Sequence, residues 1–132
     1  MRITHFTVLV EDIDAAVNFY VEKLGFEKRA DMIIWVGTRW VTVSPKGQPE
    51  IELSFAHADD DCNLLVVGKQ SPNIPLMFLE TDDLQRDYNA LKAKGVHFRT
   101  YPTEQAWGTE AVFEDLYGNL INLVQPPKTP LG

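Results

Sequence analysis

The sequence predicts an α+β protein made of two βαβββ modules. The segment from His5 to Phe26 recurs from Leu76 to Phe98, about 70 residues later. Each copy reads as a short apolar strand, an aspartate, an amphipathic helix and a glycine. Strand-like runs follow each copy, so we expect function in the concave surface between two like units.

The first module covers about residues 3–55. Residues 3–10 alternate and are rich in β-branched side chains, which predicts a strand. Asp12 is the expected helix N-cap and Gly25 the expected stop. Further strands are predicted at 32–36, 39–44 and 50–55, joined by a tight Gly37-Thr38 turn and by the turn residues PKGQP. The helical spacing predicts a buried stripe of Ile13, Ala16, Val17, Tyr20 and Leu24.

The second module covers about residues 76–125. Its strands are predicted at 76–81, 97–101, 110–114 and 120–125, and its helix begins after Asp83 and ends at Gly95. Residues 56–75 are long for a connection, so they form either an ordered loop over the site or a mobile linker. The proline-rich tail, 126–132, cannot extend a sheet.

Length and charge restrict the classes of function. With 132 residues the chain suits one domain with a single core, so the modules are halves of it. The net charge of -7, with scattered Lys and Arg, disfavours nucleic-acid binding. No apolar run reaches the roughly 20 residues of a membrane span. The single cysteine, Cys62, suits a reducing compartment, and we expect a cytoplasmic protein.

Two phrases give the repeat a specific resemblance. VEDIDAAVNFYVEKLGF and FEDLYGNLINLVQ, in the context of the two units, resemble the vicinal oxygen chelate superfamily of glyoxalases, bleomycin-resistance proteins, fosfomycin-resistance proteins and extradiol dioxygenases. The similarity covers essentially residues 3–125. It implies that the two modules form curled mixed sheets, or half-barrels, around a cleft, and that the protein is a homodimer. It leaves open whether one chain or two close the cleft. One scaffold of this kind hosts many activities.

The resemblance also implies four metal-ligand positions, which fall on His5, Glu52, Leu76 and Asn122. Leu76 cannot coordinate a metal, and the Asn122 carbonyl is a weak ligand for transition metals. A catalytic zinc site wants about three imidazole, thiolate or carboxylate ligands. We therefore expect no tightly held cofactor. The alternative is a divalent Zn, Ni, Fe or Mn ion held loosely by His5 and Glu52.

His5 and Glu52 are the candidate catalytic residues. Strand alternation points Glu52 away from the helix and towards the cleft, where we expect it to meet His5. A carboxylate beside an imidazole in an apolar cleft can act as a general base. Alternatively, the two side chains form a hydrogen bond with each other and stabilise the contact between their two strands.

Further residues are predicted to contact a ligand. Tryptophans anchor ligands and dimer contacts, and they also fill cores. Arg39 either holds an anionic group or pairs with a surface acid, and by parity it lies on the opposite face from Trp40. The candidate ligand-binding residues are Leu9, Trp35, Arg39, Trp40, Leu76, Trp107 and Asn122.

Two functions stay open from the sequence. The first is a metal-free protein that binds a small organic molecule in an acidic cleft, as bleomycin-resistance proteins do. The second is a glyoxalase-type lyase or isomerase, or a dioxygenase, that uses His5 and Glu52 with a divalent metal. The missing ligands of the second module favour binding, and the retained pair of the first favours catalysis.

Overall fold

A computed structural model describes residues 1–128 of the chain. The chain forms two compact units, Met1–Gln70 and Ser71–Gly132, and each contains a four-stranded mixed sheet. The predicted α+β class is confirmed. Within residues 1–128, no helix is both long and apolar enough to span a membrane. Residues 129–132 of the predicted tail lie outside the described residues.

The sheet of unit 1 has the strand order β1-β4-β3-β2. Strand β1 runs parallel to β4, whereas β2, β3 and β4 are antiparallel to their neighbours, so β1 and β2 form the edges. Its elements are β1 (His5–Val10), α1 (Ile13–Asn18), a π-helical turn (Phe19–Lys23), β2 (Glu27–Trp35), β3 (Thr38–Ser44), β4 (Glu52–His57) and α2 (Asp61–Leu64).

Helix α1 begins at its predicted cap. The Asp12 carboxylate accepts a hydrogen bond from the Ala15 N–H at 3.0 Å, and the chain leaves the helical segment at Gly25 with φ of 76°. Between them lies the π-helical turn, which the spacing does not predict. The turn places Tyr20 against Phe55, with ring centroids 5.2 Å apart. One face of the sheet thus forms the core, with Val8, Val10, Val41, Val43, Leu53 and Phe55 at most 2% exposed.

The opposite face of this sheet carries polar residues, and we call it the open face. Because side chains alternate along strands, it is formed by His5, Thr7 and Leu9 of β1, by Glu52, Ser54 and Ala56 of β4, and by Trp40 and Thr42 of β3. Pairing between β3 and β4 covers Thr42–Ser54 and Val43–Leu53. The first residues of β3 and the last of β4 therefore lie beyond that ladder.

The segment after β4 is not a bare connection. Strand β4 continues to His57, and Asp60 caps α2 by accepting from the Asn63 N–H at 2.7 Å. Farther along, the Gln70 amide accepts from the Leu9 N–H at 2.7 Å and donates to the Thr7 carbonyl at 3.0 Å. Gln70 thereby satisfies main-chain groups on the outer edge of β1.

Unit 2 contains the second sheet, with order β5-β8-β7-β6. Asp83 caps α3 as predicted, accepting from the Arg86 N–H at 3.0 Å. The predicted strand at 97–101 is wrong: that stretch meets β7 through one isolated bridge, Phe98 to Phe113. Pro102 has no N–H to donate to a ladder, and regular pairing starts after it. The elements are β5 (Met77–Glu80), α3 (Leu84–Ala93), β6 (Thr103–Gln105), β7 (Gly108–Glu114) and β8 (Leu120–Gln125).

Candidate functional site

The structure brings His5 and Glu52 together on the open face. The two residues are Cα partners in the parallel β1–β4 ladder, and His5 Nε2 lies 3.4 Å from Glu52 Oε2. That separation is longer than an ordinary N–H···O hydrogen bond. The side chains are 37% and 23% exposed, so the pair is accessible from solvent. The geometry suits either predicted role, and the catalytic assignment stays a prediction.

Thr42 is the partner of Glu52 that the sequence analysis missed. Its side chain is fully buried, and its hydroxyl donates to Glu52 Oε1 at 2.5 Å. The two carboxylate oxygens thus have different neighbours, a hydroxyl on one side and an imidazole on the other. The cluster of His5, Trp40, Thr42 and Glu52, which we call the His5 cluster, links three adjacent strands.

Trp40 connects the His5 cluster to a cavity. Its ring centroid is 5.4 Å from that of His5, and the two planes are tilted by 53°. Trp40 also lines a cavity of about 660 Å³ in unit 1, which we call the unit 1 cavity. This volume is typical of sites for small organic ligands. His5 and Glu52 themselves do not line the cavity.

The unit 1 cavity lies beyond the end of the β3–β4 ladder. Its walls combine apolar groups, hydroxyls and carboxylates, as expected of a site that orients an organic molecule. Ser54 is 6% exposed and presents its hydroxyl there. The lining residues are Thr7, Glu11, Asp12, Ile13, Ile34, Gly37, Thr38, Arg39, Trp40, Ser54, Phe55, Ala56, His57 and Asp59.

Arg39 is held by two carboxylates. Its guanidinium donates to both oxygens of Asp31, at 3.0 and 2.9 Å, and to Asp14 at 2.9 Å. These hydrogen bonds lower the pKa of the Asp31 carboxyl and that of the Asp14 carboxyl below the ordinary value of an aspartate. They also raise the pKa of the Arg39 guanidinium. Of the two sequence alternatives, the structure shows the surface pairing. The guanidinium charge is already balanced where Arg39 borders the cavity.

The remaining candidates of unit 1 have less definite places. Leu9 is half-buried on the open face, and its main-chain N–H donates a hydrogen bond to the Gln70 side chain. Trp35 ends β2, is 70% exposed and does not line the cavity. Within unit 1, the ring contact and the ion pair of the His5 cluster do not include Trp35.

In unit 2 the predicted residues Trp107 and Asn122 meet at Glu110, which the sequence analysis did not single out. The Trp107 indole N–H and the Asn122 amide each donate to Glu110 Oε2 at 2.9 Å. Asn122 is 5% exposed, and its Oδ1 is buried with no hydrogen-bond partner among residues 1–128. The parity of β7 and β8 could have indicated this cluster, because Glu110 and Asn122 share one face.

The register of unit 2 does not preserve the predicted correspondence with unit 1. His5 is the Cα partner of Glu52, whereas Asn122 is the partner of Phe78. Leu76 precedes β5, and its N–H donates to the Leu120 carbonyl at 2.7 Å. Leu76 and Asn122 therefore do not face each other as His5 and Glu52 do. A shift of two residues keeps every side chain on its predicted face, so alternation alone cannot detect it.

The metal-binding side chains in the described part of the chain do not fit a tight transition-metal site. Such a site takes about three imidazole, thiolate or carboxylate ligands. Among residues 1–128, no three His, Cys, Asp or Glu side chains are grouped so that they could hold an ion. The His5 cluster supplies two such donors, and its third polar group, the Thr42 hydroxyl, is already bound to Glu52.

Comparison with known proteins settles the family. The family model of the Glyoxalase/Bleomycin resistance protein/Dioxygenase superfamily matches residues 2–123. The chain belongs to this superfamily. The resemblance found in the sequence is thereby confirmed. An uncharacterized protein of Shewanella frigidimarina is 43% identical over 124 residues, which span 93% of this chain and 92% of that protein.

Two solved structures share the fold of this superfamily member. The crystal structure of UcmS2 has a TM-score of 0.83 and 36% identity, covering 94% of this chain and 97% of that one. The crystal structure of TnmS3, an antibiotic binding protein from Streptomyces sp. CB03234, has a TM-score of 0.77 and 32% identity, covering 96% of this chain and 97% of that one.

Proposed function

We propose that this protein binds a small organic molecule in the unit 1 cavity and does so without a tightly held metal. The observation that carries the proposal is the cavity itself, about 660 Å³ in volume, with Trp40, Ile34 and Ile13 among the residues that line it. An aromatic wall of this kind provides a large contact area for a planar ligand. The antibiotic-binding relative TnmS3 supports a binding role within the same superfamily.

Binding of a neutral aromatic probe tests the proposal. Titration of the tag-free protein with 1-naphthalenemethanol should shift the amide NMR signals of Ser54, Ala56 and Thr38. Trp40→Ala should weaken this binding by at least about tenfold, because it removes the largest side chain among the residues that line the cavity. Trp35→Ala is the matched control, since Trp35 is an exposed tryptophan of the same hairpin outside the cavity. Equal losses in both variants, or no binding at all, would contradict the proposal.

The metal part of the proposal has its own measurement. Elemental analysis of the purified protein should show much less than one zinc, nickel, iron or manganese per chain. About one equivalent of such a metal, lost on His5→Ala, would overturn it.

The second candidate function is catalysis by His5 and Glu52, favoured by their 3.4 Å contact. In this alternative Glu52 accepts a proton from a bound substrate, while the Thr42 hydroxyl holds the carboxylate in place. Glu52→Gln should then abolish turnover of a glyoxalase-type substrate and leave ligand affinity within about tenfold, since the amide keeps the shape but loses the basicity. We rank this function second because neither residue lines the cavity.

We also propose that the chain forms a homodimer in the cytoplasm. Edge strand β2 and its turn expose a continuous apolar run, which a second copy would cover. The exposed fractions are 53% for Met32, 76% for Ile33, 47% for Ile34, 70% for Trp35 and 101% for Val36. The single free cysteine, Cys62, suits the reducing cytoplasm. Sedimentation at micromolar concentration should show a dimer that Ile33→Lys dissociates, and a monomeric wild-type protein would exclude it.

A further inference from the structure

We infer that the unit 1 cavity selects ligands that carry a protonated amine next to an aromatic ring. This inference rests on the proposed function, because it names the ligand class for the same cavity. It is carried by the charges around the cavity, by a free hydroxyl inside it and by its aromatic wall.

Two carboxylates border the cavity without a cationic partner. Glu11 follows β1 and Asp59 follows β4, and both side chains line the cavity. Among the ion pairs formed by residues 1–128, none includes either residue. Their charge is therefore available to a ligand.

The cations near the cavity do not cancel this charge. Arg39 is the one Lys or Arg side chain among the described residues that line the cavity, and Asp14 and Asp31 already engage its guanidinium. His57 adds an imidazole, and Asp12 contributes a carboxylate that caps α1. A ligand entering the cavity thus meets a predominantly negative rim, which attracts a cation and disfavours an anion.

Inside the cavity, Ser54 offers a hydrogen bond that the protein does not use. Its side chain lines the cavity although the residue is only 6% exposed, and within residues 1–128 its hydroxyl has no hydrogen-bond partner. The hydroxyl oxygen is not among the fully buried polar atoms, so it can be reached from the cavity by a polar group of a ligand. A hydroxyl oxygen can accept from an ammonium N–H.

The aromatic part of the ligand class follows from Trp40. Trp40 lines the cavity, and Ile34 and Ile13 add apolar side chains to the lining. A planar ring can stack on this wall. The face of an indole also attracts a nearby ammonium group, so the wall and the carboxylates favour the same kind of ligand.

The experiment compares two probes of nearly equal shape. Isothermal titration calorimetry at low salt would measure 1-naphthylmethylamine, which carries an ammonium group, against 1-naphthalenemethanol, which carries a hydroxyl. We expect the amine to bind at least about tenfold more tightly. The ratio of the two affinities should decrease as salt is added, because salt screens exposed charges.

Charge-removing variants locate the effect. The double variant Glu11→Gln/Asp59→Asn should bring the affinity for the amine close to that for the alcohol and leave the alcohol's affinity within about twofold. Glu27→Gln/Glu50→Gln is the matched control, because it removes two exposed carboxylates of unit 1 that do not line the cavity. It should leave the preference unchanged.

The possible failures are distinguishable. Equal affinity for the two probes, tighter binding of the alcohol, or a preference that survives in the double variant would overturn the inference and leave the proposed function standing. Failure of both probes to bind at millimolar concentration would contradict the proposed function and the inference together.

Discussion

The hydrogen bond from Thr42 to Glu52 gives a quantitative test of the His5 cluster. Thr42→Val replaces the buried hydroxyl by a methyl group of similar size and leaves Glu52 Oε1 without its donor. A hydrogen bond to a charged group contributes roughly 1.5–3 kcal/mol to stability. The Glu52 side chain is 23% exposed, so water restores part of the loss. We expect the substitution to lower the free energy of unfolding by about 1–2 kcal/mol at pH 7.

A double-mutant cycle separates this bond from the other effects of each substitution. Thr42→Val, Glu52→Leu and the double variant would be unfolded in urea, with circular dichroism and tryptophan fluorescence recorded together as a check on a single transition. The coupling energy between the two positions should be about 1 kcal/mol or more. Thr38→Val, at an exposed threonine of the same strand, should cost less than about 0.5 kcal/mol.

A coupling energy below about 0.3 kcal/mol would refute the reasoning, because the bond would then hold neither the carboxylate nor the strands. A large coupling energy together with unaltered ligand binding in Thr42→Val would favour the structural role of the pair. A large coupling energy with lost turnover would favour the catalytic one.

Three further predictions concern other parts of the chain. Arg39→Met should lower the urea midpoint of unfolding above about pH 5, and the difference in midpoint from wild type should shrink below about pH 4. The pKa of each of its two aspartate partners is lowered in the folded protein, so the pairing stabilises the fold only while these carboxyls are ionised in the unfolded chain. A difference in midpoint that does not depend on pH would contradict this. Gly108→Ala should cost at least about 2 kcal/mol in urea unfolding, because φ is 131° and the added methyl would overlap the Gln125 carbonyl; a wild-type midpoint would exclude that clash. Glu110→Gln should move the indole N–H signal of Trp107 in an NMR spectrum, and an unmoved signal would argue against their hydrogen bond.

Local signals in the sequence were sufficient for most of the fold. The aspartate caps at Asp12 and Asp83 and the glycines at Gly25 and Gly95 act within a single turn of chain, so the residues themselves reveal them. Alternation likewise assigned Glu52 to the face away from the helix, because the period of a strand is two. The π-helical turn at Phe19–Lys23 has no such local signal in the sequence. In the structure, Tyr20 within this turn packs against Phe55 of the sheet.

The site divides in the same way. Strand parity assigned Glu52 to the face away from the helix and put Trp40 and Arg39 on opposite faces, and the family resemblance placed His5 beside Glu52. The cavity, the hydroxyl of Ser54 inside it and the carboxylates of Glu11 and Asp59 around it depend on where β3 and β4 part. The point at which two strands stop pairing depends on tertiary packing, which the alternation of side chains does not encode.

The sequence by itself determined the superfamily, the two-unit architecture and the residue types at the four implied ligand positions, of which Leu76 and Asn122 are poor metal ligands, because each depends on residue type and spacing. Only the tertiary structure decided which polar groups are satisfied within the protein. Arg39 is engaged by Asp14 and Asp31, and Glu52 by Thr42, whereas Ser54 lines the cavity and its hydroxyl forms no hydrogen bond within residues 1–128. Hydrogen bonds act over about 3 Å, so their partners are fixed only when distant strands take their final register.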